Sequence, residues 1–204
     1  DGDRVLVMQD GIRTGDLSAQ SADHGVSIDP ASLERLEIVR GPATLLYSSS
    51  AVGGVVNAIT PHESFLTSQS DGFHGQATTD VGSADSQASA NGSFQLGRQR
   101  WQLWGGGGRR RTDDYDTPEG TVENSATELA NARAGFGYAG QTLFFSTGYQ
   151  IEDGRYGVPF AGAIVGDGGT DTPLIDLDHR HQNVRLDVGA RALDTRVIDT
   201  LRIA

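Results

Sequence analysis

Apolar and polar residues alternate with a period of two along most of the chain after Phe73. Over residues 130–138, for example, Ala, Phe and Tyr alternate with Asn, Arg and Gly, and residues 88–96, 142–150 and 183–191 show the same alternation. Successive side chains of a strand point to opposite faces, so these segments predict strands with one apolar and one polar face. Their apolar positions are mostly small or aromatic, which is typical of a face that contacts lipid, whereas a soluble sandwich core uses larger side chains. We therefore expect Ala130, Ala132, Ala134, Phe136 and Tyr138 to point outward, and Asn131 and Arg133 inward.

The connections between these segments alternate in length. Residues 97–100, 139–141 and 194–196 form short connections, whereas 111–125 and 154–174 form long ones. Short turns at one end and long loops at the other are typical of outer-membrane barrels. We predict about six strands and the beginning of another after residue 72. A soluble antiparallel β-protein is the alternative.

The first sixty residues have a different pattern, which predicts a small mixed α/β unit. Strands are predicted at Val5–Met8, Leu36–Val39 and Gly53–Thr60. The dipeptide Asp10-Gly11 indicates a tight turn after the first of them. Asp29 as N-cap and Pro30 at the first helical position indicate a short helix, and residues 43–47 a single helical turn.

Composition and charge exclude several functional classes. The chain of 204 residues has 16 basic residues, all of them Arg, against 27 acidic residues, and its net charge is -11. Nucleic acid is a poor partner for such a chain, because its phosphates need a basic surface. Cysteine is absent, which excludes disulfides and thiolate metal sites. Motifs of a catalytic elbow, a zinc protease or a phosphate-binding loop are also absent, and we expect neither enzymatic activity nor a cofactor.

The segment from residue 40 to residue 60 carries the most specific motif. Its characteristic positions are Arg40, Gly41, Pro42, Tyr47, Gly53, Gly54 and Asn57. Two further segments belong to the pattern: a strand at 5–13 that runs into Asp10-Gly11, and a helix followed by a strand at 28–39, just before Arg40. Together with them, the 40–60 segment resembles the plug-domain signature of TonB-dependent outer-membrane receptors. One position departs from the pattern, since Ser48 stands where the family usually has Gly.

The resemblance implies a mainly β fold, a fragment of a plugged, roughly 22-stranded antiparallel transmembrane β-barrel with a small α/β plug unit at its N-terminus. We expect the C-terminal part of the plug at 1–62, a linker at 63–72 and the first barrel strands at 73–204. Because the chain begins at Asp1 and ends within a strand pattern, we expect it to be part of a longer protein. Arg40 is expected to pair with glutamates of the barrel wall; the alternative is a solvated turn arginine.

The resemblance also implies a function, which is uptake of a scarce nutrient across the bacterial outer membrane. The expected cargo is a metal chelate such as a ferric siderophore or haem, or a metal ion. The expected partners are the TonB protein, which supplies energy through a segment absent from this chain, outer-membrane lipid and a small nutrient ligand, but no nucleic acid. A soluble or surface-exposed β-rich binding protein without transport activity is the alternative.

Four residues near the second long connection are candidate metal ligands. His179 and His181 are two apart on a predicted strand, so they share the polar face. Asp176 and Asp178 lie just before them, near the long connection and at positions that alternate to the other face. Imidazoles and carboxylates are ligands for zinc and similar ions. Residues 156–159 and 175–178 are similar to the zinc-uptake branch of the family, although residues 160–173 contain no His, unlike the His-rich insert of that branch. The alternative is polar residues at a barrel rim.

Overall fold

The structure is a computed structural model that describes residues 5–13, 28, 30, 33–41, 47, 51–60, 71–159, 174–191 and 200–203. Its regular elements are strands: β1 (Val5–Gln9), β2 (Ile12–Arg13), β3 (Arg35–Arg40), β4 (Gly54–Ile59), β5 (Gly72–Val81), β6 (Ala88–Arg98), β7 (Trp101–Thr112), β8 (Tyr115–Thr117), β9 (Gly120–Val122), β10 (Thr127–Ala139), β11 (Leu143–Val158), β12 (Ile175–Arg191) and β13 (Thr200–Ile203). No helix long and apolar enough to cross a membrane occurs among these residues. The chain divides into two compact units, Asp1–Ser68 and Gln69–Ala204, called here the first and the second unit.

The first unit contains a four-stranded mixed sheet in the order β2-β1-β4-β3. Strands β1 and β4 pair in parallel, with Leu6 opposite Val55, and both side chains are buried. They pack with Met8 and Ala51 into a small apolar core. Strand β3 pairs antiparallel with β4, and the side chains of all its residues are exposed. The short apolar run at the start of the chain is therefore a buried strand, as its composition predicts.

Two predicted helical segments of the first unit fall on residues that the structure describes only in part. The helix starting at Asp29 and Pro30 and the turn at 43–47 lie outside the described residues except for Pro30 and Tyr47. Pro30 is in a 3₁₀ conformation. The expected linker at 63–72 likewise lies outside the described residues up to residue 70. The predicted boundaries of the plug, the linker and the barrel portion stay predictions.

The second unit is built on a seven-stranded antiparallel sheet in the order β13-β12-β11-β10-β7-β6-β5. Each pair of neighbours is joined directly in sequence except β7 and β10, whose connection contains the hairpin β8–β9. Strands β7, β10, β11 and β12 are 12, 13, 16 and 17 residues long. Such lengths exceed the strands of most globular sheets and reach across a bilayer at a tilt.

The two faces of this sheet differ as the alternation predicts. One face, called here the apolar face, carries exposed side chains such as Leu103, Phe136, Val184 and Leu186. The opposite, polar face carries Asn, Gln, Arg and Asp. On the apolar face, an aromatic cluster lies near the short connections: the ring centroid of Trp101 is 5.0 Å from that of Tyr138 and 5.9 Å from that of Phe145. Aromatic girdles of this kind mark the membrane interface of outer-membrane barrels.

The long connection between β7 and β10 is ordered around one carboxylate. The Asp114 carboxylate accepts backbone N–H bonds from Asn124, Ser125 and Ala126 at 3.2, 2.7 and 2.9 Å. These bonds, that from Ser125 above all, lower the pKa of Asp114 below its ordinary value of 3.8. The Asn124 side chain then donates to the Val158 carbonyl at 3.2 Å and so ties the connection to the end of β11.

We expect this connection to loosen only in acid. A carboxyl group whose pKa is lower in the folded protein stabilises the fold at pH values above its unfolded pKa. This stabilisation is lost as the pH falls through the folded pKa, so we expect the loss from Asp114 below about pH 3.8. A spin label at residue 119 of the full-length protein should be immobile at about pH 7 and mobile in strong acid. In Asp114→Asn it should be mobile at both pH values. The matched control is Asp113→Asn, whose label should behave as in the wild type; a wild-type response from Asp114→Asn would contradict the assignment.

Candidate functional site

Asn57 and Thr60 of the 40–60 segment close the turn at the end of β1. Asp10 and Gly11 both have positive φ, 50° and 79°, as the two central residues of a type I′ hairpin turn require. Asn57 accepts a hydrogen bond from the Gly11 N–H at 3.0 Å, and its own amide donates to Glu37 at 3.3 Å. The Asp10 carboxylate accepts both the N–H and the hydroxyl of Thr60 at 2.7 Å. Asn57 and Thr60 thus hold the turn against β4.

Two glycines of the same signature lie where β3 ends and where β4 begins. Gly54 has a φ of +146°, and a Cβ there would lie 2.4 Å from the Val39 carbonyl oxygen. Gly41 has a φ of +91°, and its N–H donates to the Gly53 carbonyl at 3.2 Å. Both positions therefore require glycine. Arg40 and Tyr47 are exposed, and Pro42 lies outside the described residues.

The structure divides the four predicted metal ligands between the two faces of the second unit. His179 and His181 lie on the polar face, as expected from their spacing. Asp176 and Asp178 lie on the apolar face beside Arg155, whose Nη2 is 2.6 Å from Asp176 Oδ2 and whose Nε is 3.9 Å from Asp178 Oδ1. Within the described residues, no group of three or more His, Cys, Asp or Glu side chains is arranged to hold a metal ion. A metal-binding role of the four residues stays a prediction.

The polar face places a buried carboxylate beside the histidines. Glu152 on β11 lies directly opposite His181 in register, and its Oε1 is 3.6 Å from His179 Nε2. The Glu152 side chain is buried, and the His179 side chain is 27% exposed. The Tyr156 ring centroid is 6.1 Å from that of His179, and a Cβ at Gly154 would overlap the imidazole. These residues, Glu152, Tyr156, His179 and His181, are called here the histidine cluster.

Sequence reasoning missed Glu152, because a carboxylate on another strand carries no local signal. The alternation of β11 puts Glu152 on the polar face, but only strand register places it opposite His181. Glutamate oxygen and histidine nitrogen are both ligands of divalent transition metals and both orient bound ligands. The histidine cluster can therefore contact a metal-centred molecule on the polar face.

A second polar group, nearer the short connections, is fully buried. The Arg185 Nε donates to Asp187 Oδ2 at 3.0 Å, and the Ser146 hydroxyl donates to the same oxygen at 3.5 Å. Asp187 and Ser146 are 0% exposed and Arg185 is 9% exposed. Buried charges are tolerated when they are paired in this way. This group is called here the buried ion pair.

Comparison with known proteins places this geometry in a family. Residues 1–55 match the model of the TonB-dependent Receptor Plug Domain. The chain is 31% identical over 136 residues to the hemin receptor of Yersinia enterocolitica, a match that covers 66% of the chain and 17% of that receptor. The chain belongs to the TonB-dependent receptors of the bacterial outer membrane. The polar face of its second unit is accordingly the lumen side of a receptor wall, and the apolar face is the lipid side.

Other TonB-dependent receptors are similar over more of the chain. It is 27% identical over 165 residues to the vitamin B12 transporter BtuB of Vibrio vulnificus, covering 78% of the chain and 23% of BtuB. The copper transporter OprC has a similar fold, with a TM-score of 0.76 over 98% of the chain and 28% of OprC, at 17% identity. These relatives are receptors and transporters rather than enzymes. The chain spans less than a quarter of the length of the two curated relatives named here.

Proposed function

We propose that the protein containing this chain takes up a metal-centred nutrient across the outer membrane, powered by TonB. The proposal rests on two features that occur in one chain. The first is the plug signature, with glycines of positive φ at positions 41 and 54 and the hydrogen bond that Asn57 accepts from Gly11. The second is a sheet with one face suited to lipid and the other to a lumen. The partners are then TonB, through a segment outside this chain, and a small nutrient ligand. No catalytic step is proposed for any residue.

Among metal-centred nutrients, we propose a metal tetrapyrrole as cargo. The two relatives named by sequence are a hemin receptor and a vitamin B12 transporter, and both of those ligands are tetrapyrroles with a central metal. The histidine cluster supplies groups that suit such a ligand: imidazole nitrogens for the metal and a tyrosine ring for the macrocycle. His179 and His181 would contact the ligand as it passes, with Glu152 orienting His179.

Hemin binding by the full-length receptor tests this proposal. His179→Ala/His181→Ala is expected to weaken hemin binding about tenfold or more, the loss typical of groups that contact or orient a metal centre. Binding is followed by the Soret absorbance in detergent. His74→Ala, on the edge strand β5, is the matched control and should bind as the wild type does. Equal affinity in wild type and double variant would remove the histidine cluster from the ligand path.

Uptake itself is tested in cells. A host dependent on external haem, carrying the full-length gene, should grow on hemin only when its TonB protein is intact. Growth that is independent of TonB, or the absence of hemin and cobalamin binding by the purified receptor, would contradict the proposed cargo and transport.

A divalent cation is the second candidate cargo, because His179 and His181 share one face, although among the described residues no third His, Cys, Asp or Glu is arranged with them to hold an ion. Asp176 and Asp178 are on the other face and are not expected to join them. Zinc titration of the wild type and of His179→Ala/His181→Ala distinguishes a cation cargo from a tetrapyrrole cargo. If the two histidines bind a cation and not a tetrapyrrole, the double variant should lose zinc affinity and keep its hemin affinity.

A further inference from the structure

Gly154 lies within β11 and leaves a position without a side chain on the lumen side of the wall. Its direct partner across the sheet is His179 of β12. Gly154 is not among the glycines with positive φ, so its backbone conformation is open to other residues. A glycine inside a strand weakens the strand and often marks a place where another group comes close to the backbone. The reason for glycine at this position is therefore space and not conformation.

The imidazole of His179 occupies the space that Gly154 leaves. The atoms nearest to a Cβ built at Gly154 are Cε1, Nε2 and Nδ1 of His179, so the edge of the ring that carries both nitrogens faces β11. Both ring nitrogens are buried, although the side chain as a whole is 27% exposed. Glu152 and Tyr156, two residues to either side of Gly154, flank the ring. Glu152, Gly154 and Tyr156 are called here the glycine notch.

The second histidine of the lumen side, His181, is held differently. Its direct partner on β11 is Glu152, whose side chain fills the place that is empty at Gly154. The imidazole of His181 is therefore kept off the backbone of β11, and the residue is half-buried. Of the two histidines, His179 has its nitrogen-bearing edge against the wall, and His181 is left to meet a ligand in the lumen.

The number of imidazole nitrogens that face the lumen decides what kind of metal can bind. A bare divalent cation such as zinc needs three or more protein ligands for a stable site, whereas a metal that a macrocycle already holds needs only an axial ligand. His179, His181 and Glu152 would supply three ligands on one face if both rings turned to the lumen. The glycine notch keeps the nitrogens of His179 out of such a site.

We propose that Gly154 determines the specificity of the cargo path, because it lets His179 lie against the wall and leaves His181 as the imidazole whose nitrogen meets the cargo. The inference rests on the proposed function, in which the cargo is metal-centred. Gly154 acts through His179, so it is a positioning residue. The glycine notch thereby favours a metal already held in a macrocycle over a bare divalent cation.

Zinc titration of the full-length receptor in detergent tests this with Gly154→Ala. The added Cβ meets the far end of a side chain, so the imidazole turns to another rotamer and the strand stays intact. Zinc affinity should rise about tenfold or more, the size of effect typical of changes around a metal site. Gly154→Ala/His179→Ala should bind zinc no more tightly than His179→Ala, because the gain requires the imidazole.

Gly92→Ala is the matched control for the zinc titration. Gly92 lies within β6 and pairs with Gly107 of β7, and the nearest atom to its added Cβ, at 3.9 Å, is a backbone oxygen. The variant should bind zinc as the wild type does. A zinc affinity that is unchanged in Gly154→Ala, or a rise that persists without His179, would overturn the proposal.

Modification by diethylpyrocarbonate, which acylates imidazole nitrogens, tests the glycine notch without any cargo. In the wild type, His179 should react much more slowly than His181, because both of its ring nitrogens are buried. In Gly154→Ala the two rates should become equal, as measured by mass spectrometry of the modified peptides. Equal rates already in the wild type would overturn the proposal. Hemin binding by the wild type reports separately on the proposed function, since neither the zinc titration nor the modification depends on it.

Discussion

Replacement of Asp187 by alanine is expected to destabilise the receptor by about 3–5 kcal/mol, the usual cost of removing one partner of a buried ion pair. Asp187 is 0% exposed, and the variant leaves the 9%-exposed guanidinium of Arg185 without its carboxylate. The Ser146 hydroxyl loses its acceptor at the same time. Urea unfolding of the full-length receptor in lipid vesicles, followed by tryptophan fluorescence, measures the free energy of unfolding.

Two variants separate burial from charge as the cause. Asp153→Ala removes an exposed pair with Arg180 and should cost about 1 kcal/mol or less. Arg185→Leu/Asp187→Leu removes both buried charges and should cost less than Asp187→Ala alone, because no uncompensated charge remains. A loss from Asp187→Ala as small as that from Asp153→Ala would show that the buried ion pair does not stabilise the wall.

Substitution of Gly54 by valine is expected to disrupt the pairing of β3 with β4. The φ of +146° costs a residue with a Cβ about 1–3 kcal/mol. The contact of the new Cβ with the Val39 carbonyl, at 2.4 Å, adds a steric clash with the backbone. Strand β3 begins and ends on arginine, so trypsin should cut the variant after Arg35 and Arg40, and uptake of hemin should fall.

The neighbouring glycine supplies the control. Gly53 is not among the residues with positive φ, so Gly53→Ala should resist trypsin as the wild type does. Trypsin resistance and normal uptake in Gly54→Val would mean that glycine at the start of β4 is not required for the pairing of β3 with β4.

Much of the fold could be predicted because the signals are local. The alternation at 130–138 identifies the two faces of β10, and the observed exposure follows it from Ala130 to Phe136. Asp10-Gly11 indicates a turn by its chemistry alone, and the structure has a two-residue turn there. The plug signature indicates the family because many residues occur in order, several of them needed for one turn geometry. These features depend on residues close together in the chain.

The sites depend on strand register, which the alternation does not specify. A shift of one strand by two residues keeps every side chain on its face but changes every neighbour across the sheet. For this reason the sequence predicts that His179 faces the lumen but not that Glu152 lies beside it. It likewise misses the contact of Ser146 with Asp187.

By itself, then, the sequence determined the two faces of the wall, the plug turns and the family, because each follows from short-range periodicity or ordered motifs. Tertiary structure alone decided which charges meet. It paired Asp176 and Asp178, which the alternation already places on the face opposite His179 and His181, with Arg155 on the lipid side. It also buried the Asp187 carboxylate beside Ser146 of the neighbouring strand. The physical reason is that these contacts join different strands, whose partners are chosen by the packing and hydrogen bonding of the whole sheet.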